Sequence, residues 1–135
     1  MKKLILIILI LAVLILSGCT ALFPRVDAFV TITKVELTSI DALKVYYTLT
    51  NTGNVTIDYY EIFFEGRCSD NTTISDWTNG LNVVPGQTRA DYTFVDIGDK
   101  TVEQLYISLI YLKNYNTDPK YINGPISPVP VPYNP

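Results

Sequence analysis

The feature that most constrains the fold is a strict alternation of side chains in the segment between residues 43 and 50. Odd positions hold apolar side chains and even positions hold mostly polar ones: Leu43, Val45, Tyr47 and Leu49 against Lys44, Tyr46, Thr48 and Thr50. A period of two places successive side chains on opposite faces of a β-strand. The segment is therefore predicted to be a strand with one face in a core and the other in solvent.

Similar short segments, separated by turn residues, continue along the chain. The predicted strands are Phe29–Leu37, Leu43–Thr50, Val55–Glu65, Leu81–Val84, Arg89–Val95 and Leu105–Leu112, with a short strand around Thr72–Trp77 inside a polar loop at 66–79. Gly, Asn and Pro mark the turns at 51–54, 85–87 and 98–100. With no long helical period, these signals predict an all-β fold, an immunoglobulin/fibronectin III-like antiparallel β-sandwich of about seven strands over residues 28–130.

The C-terminal segment admits two interpretations, because 119–135 holds six of the eight prolines. It is either a disordered or polyproline II tail, or an edge strand at Lys120–Val129, where proline is tolerated because an edge needs fewer ladder donors. We favour a short edge strand followed by a loose tail at 131–135.

The N-terminus has the form of an export signal. Lys2 and Lys3 precede 13 consecutive apolar residues, Leu4–Leu16. As a helix this run would span about 20 Å, short of the roughly 30 Å of a hydrocarbon core. Small residues then precede a cysteine, in the order Leu16-Ser17-Gly18-Cys19.

This ending resembles the lipobox of prokaryotic lipoproteins. The resemblance implies a diacylglycerol on Cys19 and cleavage before it, so that 1–18 is a signal peptide and 19–27 a tether. The alternative is an uncleaved helix with a chance cysteine. Under either interpretation we expect an extracytoplasmic domain at the cell membrane, held there by lipid on Cys19 in the first case.

Charge and composition exclude several classes of function. There are 10 basic and 13 acidic residues, and the export signal takes Lys2 and Lys3 from the basic total. An acidic domain is a poor match for nucleic acid, which needs a basic surface. The chain has no histidine, and Cys68 is the only thiol besides Cys19. With no paired carboxylates in a motif either, we expect no catalytic residues, no metal site and no cofactor.

Two motifs resemble immunoglobulin-like modules of bacteria and archaea. The strand and turn Val45–Asn54, and the later Leu81-Asn82-Val83-Val84-Pro85-Gly86, are similar to those of CARDB adhesion-related domains and FxLYD lipoprotein domains. The LEA14 and WHy domains have a similar strand-turn pattern. The Phe-x-Leu-Tyr-Asp element itself is missing. The resemblance implies adhesion, assembly or spacing outside the cell, with no catalytic residues.

Aromatic residues provide the candidate binding surface. We expect Tyr47, Tyr60, Phe64, Tyr92 and Phe94 to fill the core. The opposite parity of two neighbouring strands predicts an outward patch of Tyr59, Phe63, Tyr106 and Ile110, to which Trp77 is added as a candidate from its loop. A β-bulge would invert this parity, and the C-terminal tail would cover the patch if it folded over it.

Two further candidates are the sequons at Asn54 and Asn71, which are N-glycosylation acceptors where exported proteins are glycosylated.

The function predicted from sequence is a lipid-anchored, non-catalytic binding or spacer module of the cell envelope. Its partners would be the membrane, through Cys19, and a protein or glycan. The alternative is an accessory subunit of an envelope complex.

Overall fold

The computed structural model describes residues 23–135. It has seven strands: β1 (Ala28–Leu37), β2 (Ala42–Asn51), β3 (Ile57–Cys68), β4 (Thr73–Val83), β5 (Thr88–Asp96), β6 (Val102–Lys113) and β7 (Lys120–Pro130). They form two antiparallel sheets in the orders β1-β2-β5 and β4-β3-β6-β7. The predicted immunoglobulin/fibronectin III-like sandwich is confirmed. The fourth strand joins the second sheet, whereas in constant-type immunoglobulin domains it joins the first.

The core lies between the inner faces of the two sheets. The alternation in β2 places Leu43, Val45 and Leu49 there, each fully buried. Three large aromatic side chains fill the centre, and the rings of Tyr47 and Phe64 meet across the sheets with centroids 6.1 Å apart. A fully buried apolar side chain such as Leu43 or Phe64 contributes about 1.5–3 kcal/mol through burial.

A β-bulge in β6 changes which residues face outward. Phe63 pairs with Leu109 and Phe64 pairs with Ile107, so Ser108 is an extra residue opposite β3. Two residues of a bulged strand oppose one on its partner, and the inward parity shifts by one beyond that point. Ile110 is therefore in the core, 1% exposed, and its predicted outward position was wrong.

The predicted polar loop at 66–79 is largely a strand. β4 begins at Thr73 and pairs with β3 along its whole length, with Trp77 opposite Phe63. β4 has few apolar residues because all of its side chains except Val83 are exposed or only half-buried.

Tyr92 and Phe94 were wrongly assigned to the core, since they are 50% and 47% exposed. In β5 they lie opposite Tyr46 and Lys44 of β2, which face outward. Directly opposite residues of an antiparallel pair share a face. The inward residue at that end of β5 is Val95, which is fully buried.

The segments that flank the strands are also attached to the sandwich. Before β1, Val26 is 6% exposed, and Asp27 O accepts hydrogen bonds from the backbone N–H groups of Thr52 and Gly53 at 3.0 and 3.2 Å. The predicted tether is thus docked over its described part, 23–27.

After β7, Tyr133 exchanges two backbone hydrogen bonds with Val35 of β1, at 2.8 and 3.0 Å. Val131 and Tyr133 also pack against the core. The edge strand expected at Lys120–Val129 is present as β7, and the loose tail predicted at 131–135 was wrong for 131–133.

Candidate functional site

The outer face of the four-stranded sheet carries several aromatic side chains. Because β4, β3, β6 and β7 lie side by side, their outward residues align into rows across the sheet. We define the aromatic face as the outward residues Tyr59, Phe63, Trp77, Tyr111 and Tyr121.

Ring contacts connect these residues in two groups. Phe63 and Trp77 are stacked with centroids 6.4 Å apart and planes at 26°. Tyr111 lies between Tyr59 and Tyr121, at 6.2 and 5.2 Å. Offset and tilted pairs of this kind contribute about 0.5–1.5 kcal/mol beyond their burial. The rings therefore hold one another in place while remaining half-buried or exposed.

A groove of about 510 Å³ runs over this face. Its walls include Tyr59, Phe63, Tyr111 and Tyr121. Leu109, placed outward by the bulge, forms part of its floor.

Two charged side chains, Glu61 and Lys113, lie among the groove's lining residues. The Tyr59 hydroxyl donates to Glu61 Oε1 at 2.6 Å, and this hydrogen bond, together with partial burial, raises the pKa of Tyr59. Tyr59 therefore stays protonated at neutral pH. The groove thus offers aromatic surface beside one carboxylate and one ammonium group.

Tyr106 faces outward as predicted but lies in a separate groove of about 430 Å³, with Glu65, Arg67 and Pro125. Its hydroxyl donates to Glu65 Oε1, which raises the pKa of Tyr106. The structure brings together Tyr59, Phe63 and Trp77 of the predicted set, sets Tyr106 apart and buries Ile110.

Tyr111 and Tyr121 were missed by the sequence reasoning. Tyr111 has the same parity as Leu109 beyond the bulge, and a bulge has no local sequence signal here. Tyr121 belongs to the proline-rich strand, for which the sequence left two interpretations open.

A second aromatic cluster lies on the other sheet. Lys44 Nζ lies 4.9 Å from the ring centre of Tyr46 and 4.3 Å from that of Tyr92, within the range of cation–π contacts. Phe94 meets Tyr92 edge-on at 5.8 Å. Contact with Tyr46 raises the pKa of Lys44. Sequence reasoning missed this cluster because it assigned Tyr92 and Phe94 to the core.

The remaining candidates lie away from both clusters. Asn54 Oδ1 accepts from Arg25 N at 2.6 Å, and its Nδ2 donates to Phe23 O at 3.2 Å, so the sequon amide takes part in docking the tether. Asn71 is exposed in the turn between β3 and β4, at φ 62°. Cys19 lies outside the described residues. Cys68 is buried, 2% exposed.

Within residues 23–135, no group of three or more His, Cys, Asp or Glu side chains is placed to hold a metal ion. Nor does that part of the chain contain a helix of the length and hydropathy needed to cross a membrane.

Comparisons with known proteins inform the fold. No protein-family model and no curated protein matches the sequence. The chain is similar in structure to IrmA from Escherichia coli, with a TM-score of 0.54 and 9% identity over 82% of this chain and 96% of that one. A second similar structure is the structural-genomics target SoR45, with a TM-score of 0.48 and 12% identity over 82% and 86%. At this identity, the likeness to IrmA shows the β-sandwich fold.

Proposed function

We propose that this protein is a lipid-anchored, extracytoplasmic and non-catalytic binding module of the cell envelope, and that the aromatic face is its binding surface. The anchor is proposed from the lipobox-like Leu16-Ser17-Gly18-Cys19. The binding role rests on the aromatic face and its groove.

The support from the aromatic face is that its composition is unusual for an outward sheet surface. Antiparallel sheets that face solvent on one side carry mostly polar residues there. Here Trp77 and Tyr121 are 50% and 58% exposed, beside rings that are only partly covered. Exposed apolar groups with a charged rim are typical of interaction sites, and tyrosine and tryptophan dominate the energetics of such sites.

The chemistry of the groove suits a ligand with both apolar and hydrogen-bonding surface. Aromatic rings stack on the C–H faces of a sugar or on apolar side chains, whereas Glu61 and Lys113 pair with hydroxyl or charged groups. The ligand class is therefore a glycan or a protein segment.

The second aromatic cluster favours the alternative function, an accessory subunit of an envelope complex. Tyr92 and Phe94 are about half exposed on the opposite sheet. A subunit enclosed by partners would use both faces, whereas a binding module needs only one.

Crosslinking and affinity capture from native membranes tests the binding role. Tyr121→Ala removes a ring from the aromatic face, and Tyr92→Ala is its matched control, since it removes a similarly exposed tyrosine from an edge strand of the other sheet. We expect Tyr121→Ala alone to lose the captured protein or glycan. Loss of the captured partner with both variants would favour the accessory subunit. Loss with Tyr92→Ala alone would contradict the aromatic face as the binding surface.

Palmitate labelling tests the anchor. The wild-type chain should incorporate label and Cys19→Ser should not. Equal labelling of the two chains would refute lipidation at Cys19.

A further inference from the structure

At one end of the sandwich, hydrogen bonds hold residues 23–27, the segment nearest the proposed anchor, against the domain. We call this end the proximal end: residues 23–27, the turns at 52–56 and 84–87, and the loop at 114–119. Asn54 N donates to Arg25 O at 3.0 Å, and Arg25 Nη2 donates to Thr52 O at 2.9 Å. With the hydrogen bond from Asn54 Nδ2 to Phe23 O, the backbone is held against the turn as far back as Phe23.

Glycine at position 53 is required for this attachment. A Cβ there would lie 2.2 Å from Arg25 O and 2.8 Å from Asp27 N, both backbone atoms. Only four residue steps separate Phe23 from Cys19. Since an extended chain spans at most about 3.6 Å per residue, Phe23 at the proximal end lies within about 14 Å of Cys19.

Two aromatic side chains project from this end. Phe23 and Tyr115 are 78% and 70% exposed, and Tyr115 is also a lining residue of the groove over the aromatic face. Tyr115 N donates to Asp58 Oδ2 at 2.8 Å, which fixes the loop backbone, and Lys113 Nζ lies 5.6 Å from the Tyr115 ring centre. An amphipathic ring beside a cation is the arrangement that membrane–water interfaces favour.

Charge is distributed unequally between the two ends of the sandwich. For the charges, each end comprises its turns and loops together with the two nearest residues of every strand at that end. The end opposite to the proximal end is called the distal end. The proximal end holds four cationic and three acidic side chains: Arg25, Arg89, Lys113 and Lys120 with Asp27, Asp58 and Asp118. The distal end holds two cationic and six acidic ones: Arg67 and Lys100 with Glu36, Asp41, Asp70, Asp96, Asp99 and Glu103. An anionic bilayer surface therefore repels the distal end and tolerates the proximal one.

We propose that the proximal end rests on the phospholipid surface, with Phe23 and Tyr115 in the interfacial region and the acidic distal end directed away from it. The proposal rests on the membrane attachment in the proposed function, and adds which face of the domain the membrane covers. The occupant is the bilayer itself, because the short link to Cys19 brings these side chains to it.

Site-specific tryptophan quenching in vesicles tests this orientation. The full chain, extracted from membranes in detergent, is reconstituted into phosphatidylcholine–phosphatidylglycerol vesicles with brominated acyl chains. In a Trp77→Phe background, Tyr115→Trp reports on the proximal end. Ile40→Trp is the matched control at the distal end, because Ile40 is also 70% exposed. Flotation of the vesicles records attachment separately.

We expect the emission of Tyr115→Trp to shift to the blue and to be quenched several-fold more than that of Ile40→Trp. Equal quenching of the two in a floating chain would overturn the orientation and leave the anchor in place. A chain that does not float would overturn both. If Cys19→Ser also floats and keeps the difference in quenching, the orientation holds and the lipid anchor fails.

Discussion

At the scale of single residues, the lack of a side chain at Gly80 leaves room for a large neighbouring ring. Gly80 in β4 lies opposite Tyr60 in β3. A Cβ at position 80 would lie 2.3 Å from Cζ of Tyr60, whose side chain is fully buried. The tyrosine ring therefore covers the glycine, and the two residues act as one packing unit.

Replacing Gly80 with alanine should lower stability by about 1–3 kcal/mol, because the added methyl overpacks a ring that cannot move away. Urea unfolding measures the loss. Ser75→Ala, exposed on the opposite face of the same strand, is the control and should have little effect. Equal stability of Gly80→Ala and wild type would contradict the packing described.

Asp70 gives a pH dependence at the same scale. Lys100 Nζ lies 2.7 Å from Asp70 Oδ2, and the backbone N–H of Thr72 donates to Oδ1 at 3.0 Å. Hydrogen bonds from Lys100 and from Thr72 hold the pKa of Asp70 well below its ordinary value of 3.8. Because the folded pKa is depressed, the stabilisation is present above pH 3.8 and is lost as the pH falls toward the folded value.

Asp70→Asn should therefore lower Tm at pH 7, and the difference from wild type should shrink as the pH falls below about 4. Thermal unfolding followed by circular dichroism across this range measures it. Asp118→Asn, in an exposed loop, should leave Tm unchanged. A Tm difference between wild type and Asp70→Asn that grows as the pH falls would contradict the lowered pKa of Asp70.

At the scale of elements, sequence predicts strands with strong alternation and misses those held by their neighbours. β2, β3 and β6 were located to within a few residues because their inward positions are apolar. β4 is rich in Thr, Ser, Asp and Asn, and its backbone pairing with β3 determines its conformation. In β5 the sequence showed two faces but not which was inward, because Tyr92 and Phe94 are more apolar than the inward-facing Arg89 and Thr93.

The candidate site was predicted in part for the same reason. Tyr59 and Phe63 follow regular alternation in β3 and face outward as expected. Ile110 and Tyr111 exchange faces because of one extra residue, Ser108, whose effect depends on pairing with β3. Periodicity within one strand contains no information about such a register shift.

Aspartates occupy open edges of the two sheets. Asp76 in β4 accepts from Trp77 N at 2.8 Å and from Asp96 N of β5 at 3.2 Å. Asp91 accepts from Tyr92 N at 2.8 Å. A carboxylate that accepts a hydrogen bond from an edge N–H satisfies that donor. Its charge also disfavours the approach of another strand, and both effects limit edge-to-edge pairing.

Asp76→Ala should increase self-association, because it exposes two edge donors and removes a charge. Sedimentation velocity over a range of concentrations measures it. Glu103→Ala, an exposed carboxylate on the paired strand β6, removes the same charge without uncovering an edge and should stay monodisperse. Equal association of both variants would assign the effect to net charge alone.

At the scale of the whole molecule, the two sheets are joined along one side by β7 and the chain that follows it. Ser127 Oγ accepts from Ile32 N at 3.0 Å, and Tyr133 pairs with Val35 further along β1. Both contacts connect β1 of one sheet with the C-terminal segment of the other. The proline-rich end thus closes the sandwich.

Tyr133→Ala should lower stability by about 1–2 kcal/mol, since the ring packs against the core at this junction. Differential scanning calorimetry measures the change. The neighbouring Asn134→Ala, which alters an exposed side chain, should match wild type. An unchanged Tm for Tyr133→Ala would mean that the Tyr133 ring adds nothing to the closure of the sheets.

The docking of residues 23–27 also limits how far the groove can lie from the proposed anchor. Tyr59 and Tyr121 lie at the ends of their strands nearest the proposed anchor, and Phe63 lies four residues beyond Tyr59 along β3. If Cys19 carries lipid as proposed, a link of about 14 Å and about 3.3 Å per strand residue keep the groove within about 35 Å of the bilayer. A ligand that stands far from the bilayer is out of reach, so this domain would sample molecules that share its membrane, by diffusion in two dimensions.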